Sequence, residues 1–155
     1  AANDNDPGQV VISGHRGAVE RAVVIAKEHG AKRAVLLPVS APFHCELMKP
    51  AADAMAEALG AVEIAPPAVP LIANVTAEAV TDPEAIRSLL EQQITQRVRW
   101  RESVQAMAGM GVTETIEIGA GKALSGMVRR IDRSLLTEAV GTPEDVKRIA
   151  AAIAG

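Results

Sequence analysis

The sequence is poor in aromatic residues: Phe43 and Trp100 are the only two, and tyrosine is absent. Apolar residues nevertheless make up 48% of the 155 residues and charged residues 23%, which is typical of a folded globular protein. Because Val, Ile, Leu and Ala must fill the interior, we expect an aliphatic core. The length suits one domain or two closely packed subdomains.

The scarcity of cysteine, of positive net charge and of long apolar runs excludes several classes of function. The single cysteine, Cys45, excludes an internal disulfide and a Cys-rich zinc site, and the net charge of -3 gives no cationic field for nucleic acid. No apolar run approaches the ~20 residues that span a bilayer, and no signal-peptide pattern is present. We therefore expect no metal, no nucleic acid, no membrane and a cytoplasmic location. The absence of an initiator Met indicates a segment of a longer protein.

Apolar periodicity alternates along the chain between the strand and helix types. It predicts strands over 9–13, 34–39, 71–75, 114–118 and 135–140, and helices over 18–28, 50–59, 83–90, 100–107, 124–131 and from 143 onward. The first forty residues read β-α-β, for which a parallel pairing is expected. This alternation indicates the α/β class.

The segment Gly119-Ala120-Gly121-Lys122 lies between a strand and a helix, where backbone N–H groups attract anions. Its spacing fits neither the P-loop nor the dinucleotide fingerprint. We interpret it as a tight structural turn.

His44 follows an apolar strand pattern and precedes a helical one, a position where α/β sheets place reactive groups. The positive potential of a helix N-terminus would keep its ring neutral and able to accept a proton. On spacing alone, a structural histidine is the alternative. Its neighbour Cys45 is interpreted as a small buried residue, because adjacent side chains diverge and His44 could not serve as its base.

Two basic pairs, Lys32-Arg33 and Arg129-Arg130, have two readings. They are either solvated surface charges or a docking surface for an acidic partner or phosphates. The residues alone favour the first reading.

Five segments in this order resemble successive motifs of bacterial malonyl-CoA:acyl-carrier-protein transacylases. They are AANDNDPGQVVISG, PVSAPFHCELMKPAAD, VPLIANV, QQITQRVRW and EIGAGKALSGMVRRI. The resemblance covers essentially the whole chain. It implies malonyl transfer from CoA to acyl carrier protein in fatty acid synthesis, by way of a serine in a GHSxG turn.

The resemblance also implies roles for particular residues. His44 matches the family's general base, and Gln93 matches the residue whose backbone carbonyl holds the other ring nitrogen of that histidine. Asn3 and Asn5 match positions that line the substrate channel, and Phe43 matches the malonyl-type loop before the histidine. Lys32, Arg33, Arg129 and Arg130 gain acyl carrier protein or CoA as an anionic partner. No cofactor is implied beyond the CoA thioester itself.

The chain departs from the family in one respect that bears on activity: no GxSxG occurs in it. Ser40, Ser103 and Ser125 do not stand on a strand-to-helix turn of that type. We therefore predict that the chain alone is inactive.

The resemblance implies two parts of a larger fold. Residues 1–39 would be half of a small ferredoxin-like subdomain, and residues 40–155 the C-terminal part of a hydrolase-like α/β subdomain. Two alternatives stay open: a non-catalytic fragment that binds acyl carrier protein or CoA, and a small-molecule regulatory domain, which would contain a second β-α-β unit.

Overall fold

The computed structural model describes residues 1–154, and the side chains of residues 1–152. Six strands and six helices occur in this part of the chain. The strands are β1 (Asn3–Asp6), β2 (Gln9–Val11), β3 (Leu71–Ala73), β4 (Glu78–Val80), β5 (Glu114–Ile118) and β6 (Leu136–Val140). The helices are α1 (Arg16–Glu28), α2 (Lys49–Gly60), α3 (Pro83–Gln92), α4 (Trp100–Gly109), α5 (Ala123–Ile131) and α6 (Pro143–Ala154), and a short 3-10 helix, Glu46–Met48, precedes α2.

The six strands form three sheets of two strands each. The β1–β2 and β3–β4 pairs are antiparallel, whereas β5 and β6 are parallel, in register from Glu114 opposite Leu136 to Ile118 opposite Val140. Helix α5 connects β5 to β6, as a parallel pair requires. The mixture of helices with parallel and antiparallel strands agrees with the predicted α/β class.

The predicted parallel pairing within the first forty residues is wrong. Strand β2 pairs instead with β1, just before it in the sequence, through a turn in which Gly8 N donates to Asp6 Oδ1 at 2.9 Å. Residues 34–39 form no strand, and Val35, Leu36 and Leu37 are each about half exposed. The sequence of this segment favours a strand, but a strand needs a hydrogen-bonded neighbour, and none lies beside it in residues 1–154.

Most other predicted elements are present, with boundaries shifted by a few residues. Asp82 caps α3 by accepting a hydrogen bond from Ala85 N at 2.8 Å, and Pro83 occupies the first helical position. Gly30 closes α1 with a φ of +87°, a left-handed value that favours glycine. The sequence interpretation missed the two short strands β1 and β4.

The buried core is small and aliphatic. Val104 of α4 is fully buried, and Val128 of α5 and Leu135 pack with it. The aromatic ring of Trp100 and three further side chains (Met107, Ala108, Ile131) lie against this cluster. Helices α4 and α5 are therefore held together with the β5–β6 pair. None of the helices described is long and apolar enough to span a membrane.

Two ion pairs attach β1 to these helices. Asp4 and Asp6 are almost fully buried, at 6% and 3% exposure. Arg101 of α4 donates to Asp4 Oδ2 at 2.6 Å, and Arg130 of α5 donates to Asp6 Oδ2 at 2.8 Å. Since a buried carboxylate needs a charge partner, these pairs fix which face of β1 points inward.

The carboxylate of Glu117, near the end of β5, caps α5. It accepts hydrogen bonds from the Ser125 hydroxyl at 2.6 Å, from Ser125 N at 2.7 Å and from Leu124 N at 3.1 Å. These bonds stabilise the charged carboxylate, so the hydroxyl of Ser125 first, and then the backbone N–H groups, hold the pKa of Glu117 below its ordinary value of 4.5. The first turn of α5 thus depends on this carboxylate.

We expect replacement of Glu117 to remove a pH-dependent part of the stability. A carboxyl group whose pKa is lowered by folding stabilises the folded state above its unfolded pKa, and this contribution is lost as the pH falls through the folded pKa. Glu117→Gln should therefore lower the midpoint of thermal unfolding at pH 7. The difference from the unsubstituted chain should shrink below about pH 4.5.

The matched control is Glu114→Gln, which changes an exposed glutamate of the same strand. Differential scanning calorimetry at several pH values would make the comparison. An equal effect of the two substitutions at pH 7 would contradict the proposed cap.

Candidate functional site

The centre of the site is a hydrogen bond between two residues 49 positions apart in the sequence. The Nδ1 atom of His44 lies 2.7 Å from the backbone oxygen of Gln93. His44 is half-buried, so one side of its ring is held while part of it stays open to solvent. The structure thus brings together the two residues for which the resemblance implied a catalytic pairing.

Helices α2 and α3 set this geometry. His44 precedes the 3-10 helix and α2, whereas Gln93 directly follows α3. The two helices pack against each other, and the Arg87 guanidinium of α3 donates to the backbone oxygen of Leu59, near the end of α2. Because the start of α2 lies beside the end of α3, the histidine meets the carbonyl.

The Gln93 carbonyl is available because of its position at a helix end. The last carbonyls of a helix have no partner within it, and the bonds of the following turn go to Gln92 O, which accepts from Thr95 N and Gln96 N. Gln93 O can therefore accept from outside the helix.

This hydrogen bond determines which ring nitrogen carries the proton. A carbonyl oxygen only accepts hydrogen bonds, so Nδ1 must be protonated to make this contact. In the neutral ring, Nε2 then carries the lone pair and can accept a proton. The bond therefore leaves His44 in the tautomer that a general base at Nε2 requires.

The local electrostatics differ from the sequence expectation. His44 is not at the start of α2; it stands five residues before Lys49, with a backbone φ of +58° in the left-handed region. Its ring lies instead at the C-terminal end of α3, where the helix dipole places partial negative charge. The helix-end potential beside the ring is thus of the opposite sign to the one expected from the sequence.

The two sequence neighbours of His44, Phe43 and Cys45, differ in their exposure to solvent. Cys45, interpreted from the sequence as a small buried residue, is partly buried, and its thiol donates to Pro42 O at 3.1 Å. Phe43 is 45% exposed. Its ring is accessible beside the histidine, where the resemblance implies substrate contact.

Asn3 and Asn5 lie on the face of β1 opposite the buried Asp4 and Asp6, since side chains alternate along a strand. The strand is hydrogen-bonded to the segment after Gln93: Asp4 N donates to Val98 O at 2.9 Å. This bond attaches β1 to the chain five residues after Gln93. No hydrogen bond joins either of them to His44 among the described side chains.

The four basic residues do not form one cluster of equivalent charges. Lys32 and Arg33 are exposed in the loop after α1. Arg129 donates to Thr137 O at 3.1 Å, and Arg130 pairs with Asp6. Arg130 thus has a structural role within the chain, although its side chain remains 55% exposed.

Two N–H groups at the start of α5, just after the glycine-rich turn, are occupied. Glu117 already accepts from Leu124 N and Ser125 N at the start of α5, so these N–H groups are not free for an anion. Gly119 has a φ of +137°, which fits a tight turn.

Two of the serines considered as nucleophiles are also engaged. Ser103 and Ser125 are nearly fully buried, and their hydroxyls bond to Arg99 O and Glu117, respectively.

The sequence interpretation missed Asp4, Asp6 and Arg101. A signal was present: NDND alternates amide and carboxylate side chains, which is how a strand with two distinct polar faces appears. Acidic residues are rarely buried unless they are paired, and the local sequence does not show the partners of Asp4 and Asp6.

Sequence and structure comparisons relate the chain to the same group of known proteins. No family model matches the chain. The malonyl CoA-acyl carrier protein transacylase of Bacillus subtilis is 49% identical over 146 residues, 94% of this chain and 46% of the relative. That of Escherichia coli K12 is 48% identical over 141 residues. The chain therefore spans about half the length of the curated relatives it matches.

The solved structures similar to this chain belong to the same group of enzymes as the curated relatives. The acyl-carrier-protein-S-malonyltransferase of Bartonella henselae superimposes with a TM-score of 0.94 at 52% identity, over 99% of this chain and 49% of that chain. A malonyl-transacylase in complex with a type II PKS acyl-carrier protein gives a TM-score of 0.90 at 43% identity.

This similarity confirms the α/β fold class, because the solved structures on which the chain superimposes are acyl-carrier-protein S-malonyltransferases. Along almost its whole length, the chain corresponds to the C-terminal part of the malonyl CoA-acyl carrier protein transacylase family. The division at residue 39 into two subdomains stays a prediction, as do the roles of the individual site residues.

Substitutions at His44 should separate the hydrogen bond from the backbone conformation. Asparagine tolerates a left-handed φ and its amide can donate to Gln93 O, whereas alanine does neither. His44→Asn should therefore unfold with a free energy about 1–2 kcal/mol larger than that of His44→Ala. Urea denaturation of both variants measures the difference. Equal stability of the two variants would show that the contact does not hold this loop.

Proposed function

We propose that this chain supplies the general base of a malonyl-CoA:acyl-carrier-protein transacylase, with His44 as that base. The observation that carries the proposal is the 2.7 Å contact between His44 Nδ1 and Gln93 O. This contact leaves Nε2 free to take a proton. The chain is also 49% identical to the Bacillus subtilis transacylase over the 146 matched residues. The nucleophilic serine would come from the part of the transacylase that this chain does not contain.

The first half-reaction would load malonyl onto the serine. Nε2 of His44 removes the serine proton as the serine oxygen attacks the thioester carbonyl of malonyl-CoA. The tetrahedral intermediate then collapses, the carbon–sulfur bond breaks, and the imidazolium returns the proton to the departing CoA thiolate. The Gln93 carbonyl accepts the hydrogen bond from Nδ1 throughout, so the ring keeps its orientation between these two steps.

The second half-reaction would reverse the roles. His44 removes the proton of the phosphopantetheine thiol of acyl carrier protein as its sulfur attacks the malonyl-serine ester. The ester carbon–oxygen bond breaks, and the proton passes to the serine oxygen. Such acyl transfer needs no redox step, so the proposed reaction uses no cofactor beyond the CoA thioester.

Gln93 acts in this scheme as a positioning residue. A neutral carbonyl takes the place of the carboxylate that orients the histidine in a Ser-His-Asp triad. It fixes the tautomer without adding a full negative charge. Asn3, Asn5 and Phe43 would contact the substrate from β1 and from the loop before His44.

The exposed cations would serve the anionic partners. Neither Lys32 nor Arg33 forms a side-chain ion pair among residues 1–152, and acyl carrier protein and CoA are both negatively charged. Such surface charges chiefly increase the rate of association. Arg129 and Arg130 would contribute through the part of each guanidinium that stays exposed.

The test is malonyl transfer by a fused enzyme, in which the N-terminal part of the Bacillus subtilis transacylase precedes residues 1–155 of this chain. His44→Ala should lower the rate of transfer from malonyl-CoA to acyl carrier protein by about 10²–10⁴-fold, since that is the usual contribution of a general base. His29→Ala, an exposed histidine at the end of α1, is the matched control and should leave the rate unchanged.

Three outcomes would contradict parts of the proposal. Full transfer by the His44→Ala enzyme would exclude His44 as the base. Turnover by the 155-residue chain alone would show that it contains its own nucleophile. Saturable binding of CoA or acyl carrier protein without transfer by the fused enzyme would favour the non-catalytic binding fragment.

A further inference from the structure

Strand β1 is polar on both of its faces. Its four residues alternate amide and carboxylate side chains, so Asn3 and Asn5 share one face and Asp4 and Asp6 share the other. Asparagine and aspartate have nearly the same shape, and neither face is apolar. Hydrophobic burial and packing therefore do not determine which face points inward. Such a strand has a weakly specified register, because a shift by one residue exchanges its two faces.

Charge distinguishes the two faces of β1. Arg101 of α4 donates to Asp4 Oδ2 from Nε at 3.1 Å and from Nη2 at 2.6 Å, and Arg130 Nε of α5 donates to Asp6 Oδ2 at 2.8 Å. The two carboxylate side chains are 8% and 3% exposed, whereas the two arginine side chains are 39% and 55% exposed. Since a buried charge is costly without a partner, the arginines select the carboxylate face for the interior.

The backbone of β1 is held by the segment that carries Arg101. Asp4 N donates to Val98 O at 2.9 Å, and Val98 N donates to Ala2 O at 2.8 Å. Arg101 follows Val98 by three residues, in the first turn of α4. One short segment thus binds Asp4 both at its N–H group and at its carboxylate. A shifted strand could make equivalent backbone bonds, because every residue other than proline carries the same N–H and C=O groups, but it could not make the ion pairs.

The choice of face matters for an anionic substrate. Malonyl-CoA carries the malonyl carboxylate and the phosphates of CoA. The amides of Asn3 and Asn5 can donate and accept hydrogen bonds without adding charge. After a shift by one residue, the carboxylates of Asp4 and Asp6 would stand on that face instead. Like charges brought together at a binding site weaken binding.

We propose that Arg101 and Arg130 are positioning residues for substrate binding. By holding the carboxylates of β1 in the interior, they keep amides, rather than carboxylates, on the face of β1 that meets the substrate. The proposal rests on the proposed function, from which the substrate contact of Asn3 and Asn5 comes. The two ion pairs act on the register of the strand more than on the stability of the fold, which buried ion pairs increase little.

Two double variants of the fused enzyme break the same two ion pairs with different consequences for the substrate face. Arg101→Gln/Arg130→Gln leaves two carboxylates without partners, so they should turn to that face. The KM for malonyl-CoA should then rise by about tenfold or more, which is the effect of losing one hydrogen bond to the substrate. Asp4→Asn/Asp6→Asn leaves amides on both faces, so its KM should stay close to that of the unsubstituted enzyme.

The KM separates this role from a merely structural one. A loss of stability lowers the folded fraction and hence the apparent kcat, but it leaves the KM of the folded enzyme unchanged. Equal KM values for the two double variants would overturn the proposal. If Arg101→Gln/Arg130→Gln yields no folded enzyme, Arg101→Gln alone, which keeps the pair of Asp6, should raise KM, and an unchanged KM would overturn the proposal. The control Arg148→Gln breaks an ion pair with Glu138, away from β1, and should leave KM unchanged.

Hydrogen exchange of the 155-residue chain tests the register without any reaction. The N–H group of Asp4 is bonded to Val98 O in the unsubstituted chain. In both double variants, the N–H group at this position should exchange about tenfold faster or more, after correction for intrinsic rates, relative to that of the buried Val128 in α5. An unchanged relative rate in either variant would show that the ion pairs do not hold the register, and would overturn the proposal.

These measurements distinguish failure of this proposal from failure of the proposed function. An unchanged KM in both double variants, in a fused enzyme whose transfer depends on His44, would overturn the positioning role of the arginines alone. Full transfer after His44→Ala, with the expected values of KM and of exchange at residue 4, would overturn the proposed role of His44 alone.

Discussion

The hydrogen bond between His44 and the Gln93 carbonyl is the constraint around which the site is organised. It joins the loop before α2 to the end of α3, and it holds a histidine whose φ of +58° is uncommon for any residue other than glycine. Such a backbone conformation persists when its surroundings over-determine it. Here the packing of α2 on α3 and the contact from Arg87 to Leu59 provide that surrounding.

Beyond the site, the chain has two different kinds of interior. One is self-sufficient: β1 is attached to α4 and α5 by the ion pairs of Asp4 and Asp6, and Val104 is fully buried. The other is incomplete, because β5, β6 and residues 34–39 present apolar surface without cover from the described chain. A core this small leaves much of its apolar area in water, where burial would otherwise contribute about 25 cal/mol per Å².

The sequence was sufficient for elements whose signals are local. Asp82 and Pro83 indicate the start of α3, and Gly30 indicates the end of α1, because capping depends on a few adjacent residues. Pairing of strands was less predictable: residues 34–39 have strand composition, but pairing requires a neighbour that the local sequence does not contain. The burial of Asp4 likewise depends on Arg101, 97 residues away. The contact between His44 and Gln93 came from family resemblance, since spacing alone favoured a structural role for His44.

The central claim is that Gln93 holds His44 in the tautomer with the proton on Nδ1. Long-range nitrogen–proton NMR of the labelled chain, above the titration range of its three histidines, measures this directly. The account predicts a protonated Nδ1 and an unprotonated Nε2 for His44, with the exposed His15 and His29 as internal references and His44→Asn to assign the signal. A neutral His44 with its proton on Nε2 would contradict the account, because that ring could not donate to Gln93 and would have no lone pair at Nε2 for catalysis.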